Sequence, residues 1–391
     1  MITTINNKHN KLNVPNLRFP EFQGAWEKCI LGDITENFNL RNKDKIQYPM
    51  FSVTNDRGFV PQSEQFEGRD MVGEDIKAYK IIHTNDFAYN PARINVGSIA
   101  MYTGEKPCMI SSLYVCFKTA KEVNNEWLMQ LLKTPKMNYY YNVNGEGGVR
   151  VYLFYPNFAR IKMSIPKIEE QKKIAKLLNL LDERIATQSK IIDKLQSLIK
   201  GIVDSTILRK EKNAIVGDVC SISEQIRAEA NIDDIITVRL HGNGVCKSSA
   251  ENLQLGATQY YRRRAGQLIY GKQNFHNGAI GIVPISLDNG ITSKDIPSFD
   301  IDEMKCNSVY LLAQLQSPQY YKPAEALTTG TGSKRLKEET FLKMPIVLPN
   351  KREQDNIATL IISISANLDQ AKKMLDLFSI QKQYLLRQMF I

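Results

Sequence analysis

No stretch of the 391 residues approaches the 18 or so consecutive apolar residues of a membrane span. The opening MITTINNKHNKLNVPNLRF is polar and lacks the apolar centre of a secretory leader. Six cysteines are present (Cys29, Cys108, Cys116, Cys220, Cys246 and Cys306), with no Cys-x-x-Cys pair and no histidine at zinc-ligand spacing. That argues against a zinc site and reads as reduced structural thiols, so the expected compartment is the cytoplasm. Histidine is scarce, with four in the chain, and His83, His241 and His276 have no evident carboxylate or nucleophile partner in the sequence. None reads as a general base.

Cofactor and nucleotide signatures are missing as well. Gly242-Asn243-Gly244-Val245-Cys246-Lys247-Ser248 ends like a phosphate-binding loop, but Cys246 stands where a glycine must precede the lysine and His241 where the first glycine belongs. Asn90-Pro91-Ala92-Arg93 is similar to the Asn-Pro-Pro-aromatic loop of adenine methyltransferases, yet lacks the second proline and the stacking aromatic; it reads as a proline turn between strands. Glu303-Met304-Lys305 has the Glu-x-Lys ending of some magnesium nucleases, and in a chain with 24% charged residues it reads as a solvated turn. The expectation is a chain with no catalytic residue, no metal ligands and no cofactor of its own.

What is present is the composition of a folded protein, with hydrophobic residues at 43%. The length is that of two or three domains. A formal charge of +10 favours a polyanionic partner, because each phosphate neutralised by Lys or Arg releases condensed counterions.

The chain also repeats itself, which decides the fold class before any local motif does. PKIEEQKKIAKL from Pro166 and PNKREQDNIATL from Pro349 share Pro, Glu-Gln, Ile-Ala and Leu at the same places. Beyond the first, Leu178, Leu181, Ile185, Gln188, Ile192, Leu195, Ile199 and Ile202 step by three and four. Beyond the second, the same steps give Ile361, Ile364, Leu368, Ala371, Leu375, Phe378, Lys382 and Leu385. Two helices of about forty residues, roughly 60 Å each, therefore carry matching seams that zip into a coiled coil. Proline just ahead of each helix and Glu169, Glu170 and Glu353 in the first turns suit a helix start.

The segments ahead of the helices match more faintly. Leu31-Gly32-Asp33-Ile34 parallels Val216-Gly217-Asp218-Val219, and the run from Phe87 to Ile99 parallels Leu268 to Ile280, with Tyr89 at Tyr270 and Gly97 at Gly278. Ile110-Ser111-Ser112 parallels Ile291-Thr292-Ser293, and a Gly-rich turn ending in Arg150 parallels one ending in Arg335. Short β-rich runs such as KIIHTNDFAYN, GSIAMYT and LYVCFK, then the helical stretch NNEWLMQLLKTPKMNYYY, make each copy an α+β domain feeding one long helix. The divisions read 1–165, 166–212, 213–348 and 349–391.

At this point the chain resembles the specificity subunits of type I restriction-modification systems. The resemblance is carried by LRFPEFQGAWEKCILGDI, IPKIEEQKKIAKLL, LPNKREQDNIATLI and the two-copy layout, and spans nearly the whole chain. Asp355-Asn356 replaces Lys172-Lys173 in the second helix start, and Lys382 interrupts the second seam, which leaves the packing near the C-terminus open. The family implies two pseudo-symmetric α/β target-recognition domains separated by two long antiparallel coiled-coil helices. It also implies that each domain reads one half of a bipartite DNA site, that the helices measure the unread spacer, and that they bind two methylation subunits and, through these, restriction subunits. S-adenosylmethionine is then expected on the methylation subunits, which flip an adenine out of the duplex. The subunit itself is non-catalytic.

Base and phosphate contacts are expected from turns between strands. Asn90, Arg93 and Asn95 in the first copy face Lys272, Gln273, Asn274 and His276 at the aligned turn of the second, and Arg150, Lys334 and Arg335 follow Gly-rich turns suited to backbone approach to phosphate. Arg262-Arg263-Arg264 fits a phosphate patch or an edge strand guarded by charge. Leu178, Leu181, Ile185, Ile192 and Leu195, with Ile361, Ile364, Leu368, Leu375 and Phe378, are the seam and subunit-binding residues. A coiled-coil scaffold that binds only proteins is the alternative from another class.

Overall fold

The structure, a computed structural model, describes residues 3–4, 13–65, 76–147, 151–248, 258–330 and 334–391. The chain divides into two compact units, Met1–Thr187 with Met374–Ile391, and Gln188–Lys373. The two long helices, Ile168–Val203 and Lys351–Gln388, have 36 and 38 residues and contribute to both units, so the units cut across divisions drawn at the helix starts.

The first unit is organised by a sheet of four antiparallel strands, β1 (Thr35–Phe38), β2 (Phe87–Tyr89), β3 (Ile99–Met101) and β4 (Val115–Thr119), in the order β1-β4-β2-β3. Alternation sends Phe87, Tyr89 and Phe117 into the main core beneath helix Asn125–Leu132, and Ala88, Ala100 and Cys116 into a smaller core with Val53, Ile82 and Cys108. The second unit repeats the sheet with β5 (Cys220–Ile222), β6 (Leu268–Tyr270), β7 (Ile280–Ile282) and β8 (Ser298–Ile301), in the order β5-β8-β6-β7. Leu268, Tyr270 and Phe299 enter its main core, and Ile269 the smaller one.

The short Gly-Asp motifs close each unit in the same way. Asp33 accepts from the Ile30 amide at 2.9 Å and Asp218 from the Ile215 amide at 2.8 Å, satisfying an orphan donor at the start of a one-turn helix. A Cβ on Gly32 would sit 3.1 Å from the Ala159 Cβ, and one on Gly217 3.1 Å from the Leu342 carbonyl oxygen, so a side chain at either would force the neighbouring segment away.

The repeated Glu-Gln explains itself once each helix start is seen packed. Gln171 donates to the Pro166 and Glu122 carbonyls at 2.8 and 3.2 Å and accepts from the Asn124 amide at 2.7 Å. Gln354 donates to Pro349 and Lys305 at 2.8 and 3.1 Å and accepts from Asn307 at 2.8 Å. Asn124 and Asn307 in turn cap the shorter helices Asn125–Leu132 and Ser308–Leu315. Each buried glutamine thus fastens a long helix to the cap of a short one. The glutamates lie in the first helical turns as read in the sequence, and two of them are also committed to ion pairs. Glu170 is buried in a two-pronged pair with Arg18, both contacts at 2.7 Å, and Glu353 pairs with Lys210.

In both units the long helices lie antiparallel, since rising numbers on one meet falling numbers on the other. Lys382 bonds Asp182 and the Arg184 guanidinium lies 5.9 Å from the Phe378 ring in the first unit; Gln188 donates to the Ala371 carbonyl at 3.2 Å and Lys210 meets Glu353 in the second. Leu178 and Leu181 are buried, and between Lys190 and Gly201 only Ile192, Leu195 and Ile199 escape full exposure. Ile361, Ile364, Leu368, Ala371 and Leu385 are buried, and Leu375, Phe378 and Lys382 half-buried. Lys382 sits in the seam because Asp182 neutralises it there.

Candidate nucleic-acid interface

Between β2 and β3, and again between β6 and β7, the chain makes one turn twice. The Asn90 amide donates to the Ser98 carbonyl and the Gly271 amide to Ala279, each at 3.0 Å. The Arg93 amide donates to Asn90 and the Asn274 amide to Gly271, again at 3.0 Å. Each turn leaves through a left-handed glycine, Gly97 at φ 101° and Gly278 at φ 75°, a conformation other residues adopt at a cost. The backbones agree bond for bond while the side chains differ.

A second loop joins each turn. The Leu153 amide donates to the Pro91 carbonyl, and the Leu336 amide to the Lys272 carbonyl, each at 2.9 Å. Just before these leucines a small hairpin closes, Glu146 pairing Tyr152 in one copy and Thr329 pairing Arg335 in the other. This register corrects the alignment of Arg150 with Arg335: the residue matching Arg335 is Tyr152. Arg150 itself lies outside the described residues.

The candidate side chains divide by what already holds them. Asn90 accepts from the Ala92 amide at 3.0 Å and so shapes the turn, and Asn95 donates to Asn142 at 3.0 Å. Arg93 is exposed on the turn. In the second copy Gln273 and Asn274 are exposed, with Asn274 accepting from Asn277 at 3.3 Å, while the Nδ1 of His276 is buried with no partner. The three cations read there as DNA contacts are paired: Lys272 with Glu338 at 2.7 Å, Lys334 with Glu325 at 3.0 Å and Arg335 with Asp295 at 3.3 Å. The Lys334 ammonium holds the Glu325 carboxyl below the usual carboxylate range. A phosphate approaching this face meets ion pairs to be shared or exchanged.

Two expectations change in the fold. Arg263 is wholly buried, donating to Thr292 Oγ1 at 2.8 Å, Ser298 Oγ at 2.9 Å and the Ile296 carbonyl at 3.0 Å, so the arginine triplet is not one surface patch. Burial lowers its guanidinium pKa to about 10, which leaves it charged at neutral pH and held by neutral acceptors alone. Its neighbours Arg262, which ends the strand Tyr260–Arg262, and Arg264, beyond it, are both exposed. His83 has a carboxylate after all, its Nδ1 3.7 Å from Asp86, three residues on, a pair that the strand-end turn brings together. Burial raises the Asp86 carboxyl above its ordinary range. Among the described residues no cluster of three or more His, Cys, Asp or Glu could hold a metal ion, and no helix is long and apolar enough to cross a membrane.

Comparison with known proteins meets this architecture from three directions. Residues 25–197 match the family model of the type I restriction modification DNA specificity domain. A type I restriction enzyme specificity subunit of Methanocaldococcus jannaschii, MjaVIII, is 22% identical over 94% of this chain and 91% of its own length. A second from the same organism, MjaX, is 25% identical over 49% of this chain, a match spanning about half of that relative's length (47%). The S subunit of a type I restriction-modification system from M. genitalium has the same fold, with a TM-score of 0.63 at 11% identity over 97% of this chain and 99% of that one. A chain from a structure describing complex assembly and conformational transition of the type I R-M system aligns at a TM-score of 0.51 and 12% identity, over 92% and 96%. With its duplicated sheet, its duplicated turn and its paired helix starts, the chain is similar over nearly its whole length to the specificity subunits of type I restriction-modification systems, and residues 25–197 match their DNA specificity domain.

Proposed function

We propose that this chain supplies the sequence readout of a type I restriction-modification complex and none of its chemistry. Each sheet-and-turn copy reads one half of a bipartite DNA site, and the long helices hold two methylation subunits and set the unread spacer. The observation that carries this reading is the turn made twice with the same backbone bonds and different side chains, Arg93 standing where the second copy has Asn274 and Asn95 where it has His276. Side chains that fork onto base edges discriminate bases, and phosphate contacts fix register. Restriction subunits join through the methylation subunits, S-adenosylmethionine binds there, and the complex works in the cytoplasm.

The test is an exchange of residues 1–165 for the same part of another such subunit, followed by sequencing of methylated bases in cells that carry the partner subunits. One half of the methylated site is expected to change and the other to persist. A change in both halves, or in neither, refutes readout by independent copies.

A further inference from the structure

The second copy carries a concavity of about 530 Å³ beside its turn, lined by Lys272, Lys294, Asp295, Thr329, Gly330, Arg335, Lys337 and Glu338. We propose that this concavity seats a backbone phosphate of the DNA at the edge of the half-site read by the same turn, and that the first copy has no counterpart among its described residues. The proposal rests on the reading that the turn faces DNA.

Charge makes the first case. Four cations and two carboxylates line one concavity, leaving two positive charges uncompensated. Lys272 and Arg335 hold the carboxylates of Glu338 and Asp295, while Lys294 and Lys337 are exposed and stand in no ion pair among the described residues. An anion entering here meets two uncommitted ammonium groups and a guanidinium whose existing pair is half-exposed and therefore weak.

Rigidity makes the second. The Lys272 amide donates to the Asp295 carbonyl at 2.9 Å, the Leu336 amide to the Lys272 carbonyl at 2.9 Å, and Thr329 and Arg335 exchange two backbone bonds. Three loops are thereby stapled together, so the cations converge on one place without a large ordering cost.

The first copy serves as an internal control. At the matching positions it carries Pro91, Leu113, Tyr152, Phe154 and Tyr155 in place of Lys272, Lys294, Arg335, Lys337 and Glu338. Leu113 is exposed, and the Tyr152 and Phe154 rings stack with centroids 6.3 Å apart. The turn and its closing bond are shared, so among the matched, described positions the cationic character comes from side chains of the second copy. A phosphodiester fits the excess charge and the open mouth, and it is the anion that a base-reading turn brings with it.

The experiment uses the complete complex with its methylation subunits and a duplex bearing the site identified by methylated-base sequencing. Lys294→Gln with Lys337→Gln removes two exposed ammonium groups that no other side chain relies on. The slope of log affinity against log salt is expected to fall by about 1, with an equal loss of affinity across variants of the second half-site and an unchanged methylated sequence. The matching change in the first copy, Tyr152→Ser with Phe154→Ser, is expected to leave the slope where it was. An unchanged slope in the lysine variant overturns the seat, as does an altered second half-site at constant slope, which would place the lysines on bases. Saturable binding of inorganic phosphate to the wild-type chain, lost in the lysine variant with no change in the DNA slope, assigns the concavity to a free anion and also overturns it. In each case the exchange of residues 1–165 still reports separately on whether the copies read DNA.

Discussion

Gln354 is the most exposing test of how the second long helix is joined to the domain it follows. Replacing it with leucine keeps the volume and deletes three hydrogen bonds at once, to Pro349, Lys305 and Asn307, from a side chain that is 1% exposed. A buried hydrogen bond contributes about 1 kcal/mol net, and an amide left without its acceptor costs more, so the expected loss is about 3 kcal/mol. For a unit of this size that corresponds to a melting shift of roughly 6–12 °C. The assay is thermal and urea unfolding of the full chain, followed by far-ultraviolet circular dichroism. Gln171→Leu breaks the same three bonds in the first copy and is expected to cost as much. Gln354→Glu retains the acceptor for the Asn307 amide but sets a carboxylate against two carbonyl oxygens, and is expected to be no better than leucine. If Gln354→Leu lies within about 0.5 kcal/mol of wild type, below the usual cost of a buried unpaired group, the fastening described here does not hold the helix.

Leu181→Asp places an unpaired carboxylate in the core of the first unit, at a cost of several kcal/mol, and should abolish assembly with methylation subunits; normal assembly would mean that Leu181 does not face a required packing surface. The helix ruler calls for matched heptads inserted after Thr187 and after Lys373, because an insertion beyond Ser205 would displace Ile207, which is fully buried in the second unit's core. Seven residues add about 10 Å of rise and keep the seam to within about 20°, so the methylated site should gain about three base pairs of spacer with both halves retained; an unchanged spacer at full activity removes the ruler. The purified chain alone should neither transfer methyl groups nor cut DNA, and activity in a preparation free of partner subunits would overturn the non-catalytic reading.

The Pro-x-x-x-Glu-Gln repeat and the three-four spacing of apolar residues were legible because periodicity is a one-dimensional signal. They placed two long helices and two copies of one domain, and the family resemblance followed from the same residues. The strand-turn-strand run from Phe87 to Ile99 and its match from Leu268 to Ile280 were equally readable, since alternation and a left-handed glycine leave marks along the chain. What tertiary structure alone decided is which polar groups are already committed. Nothing in the local sequence tells that Arg263 points inward to Thr292 and Ser298 while Arg262 and Arg264 point out, that Lys272 meets Glu338 sixty-six residues away, or that the bridge pairing Arg335 with Thr329 makes Tyr152, not Arg150, its match in the first copy. An ion pair or a buried hydrogen bond depends on distances between residues far apart in the chain, and those distances exist only once the sheet has brought its turns together.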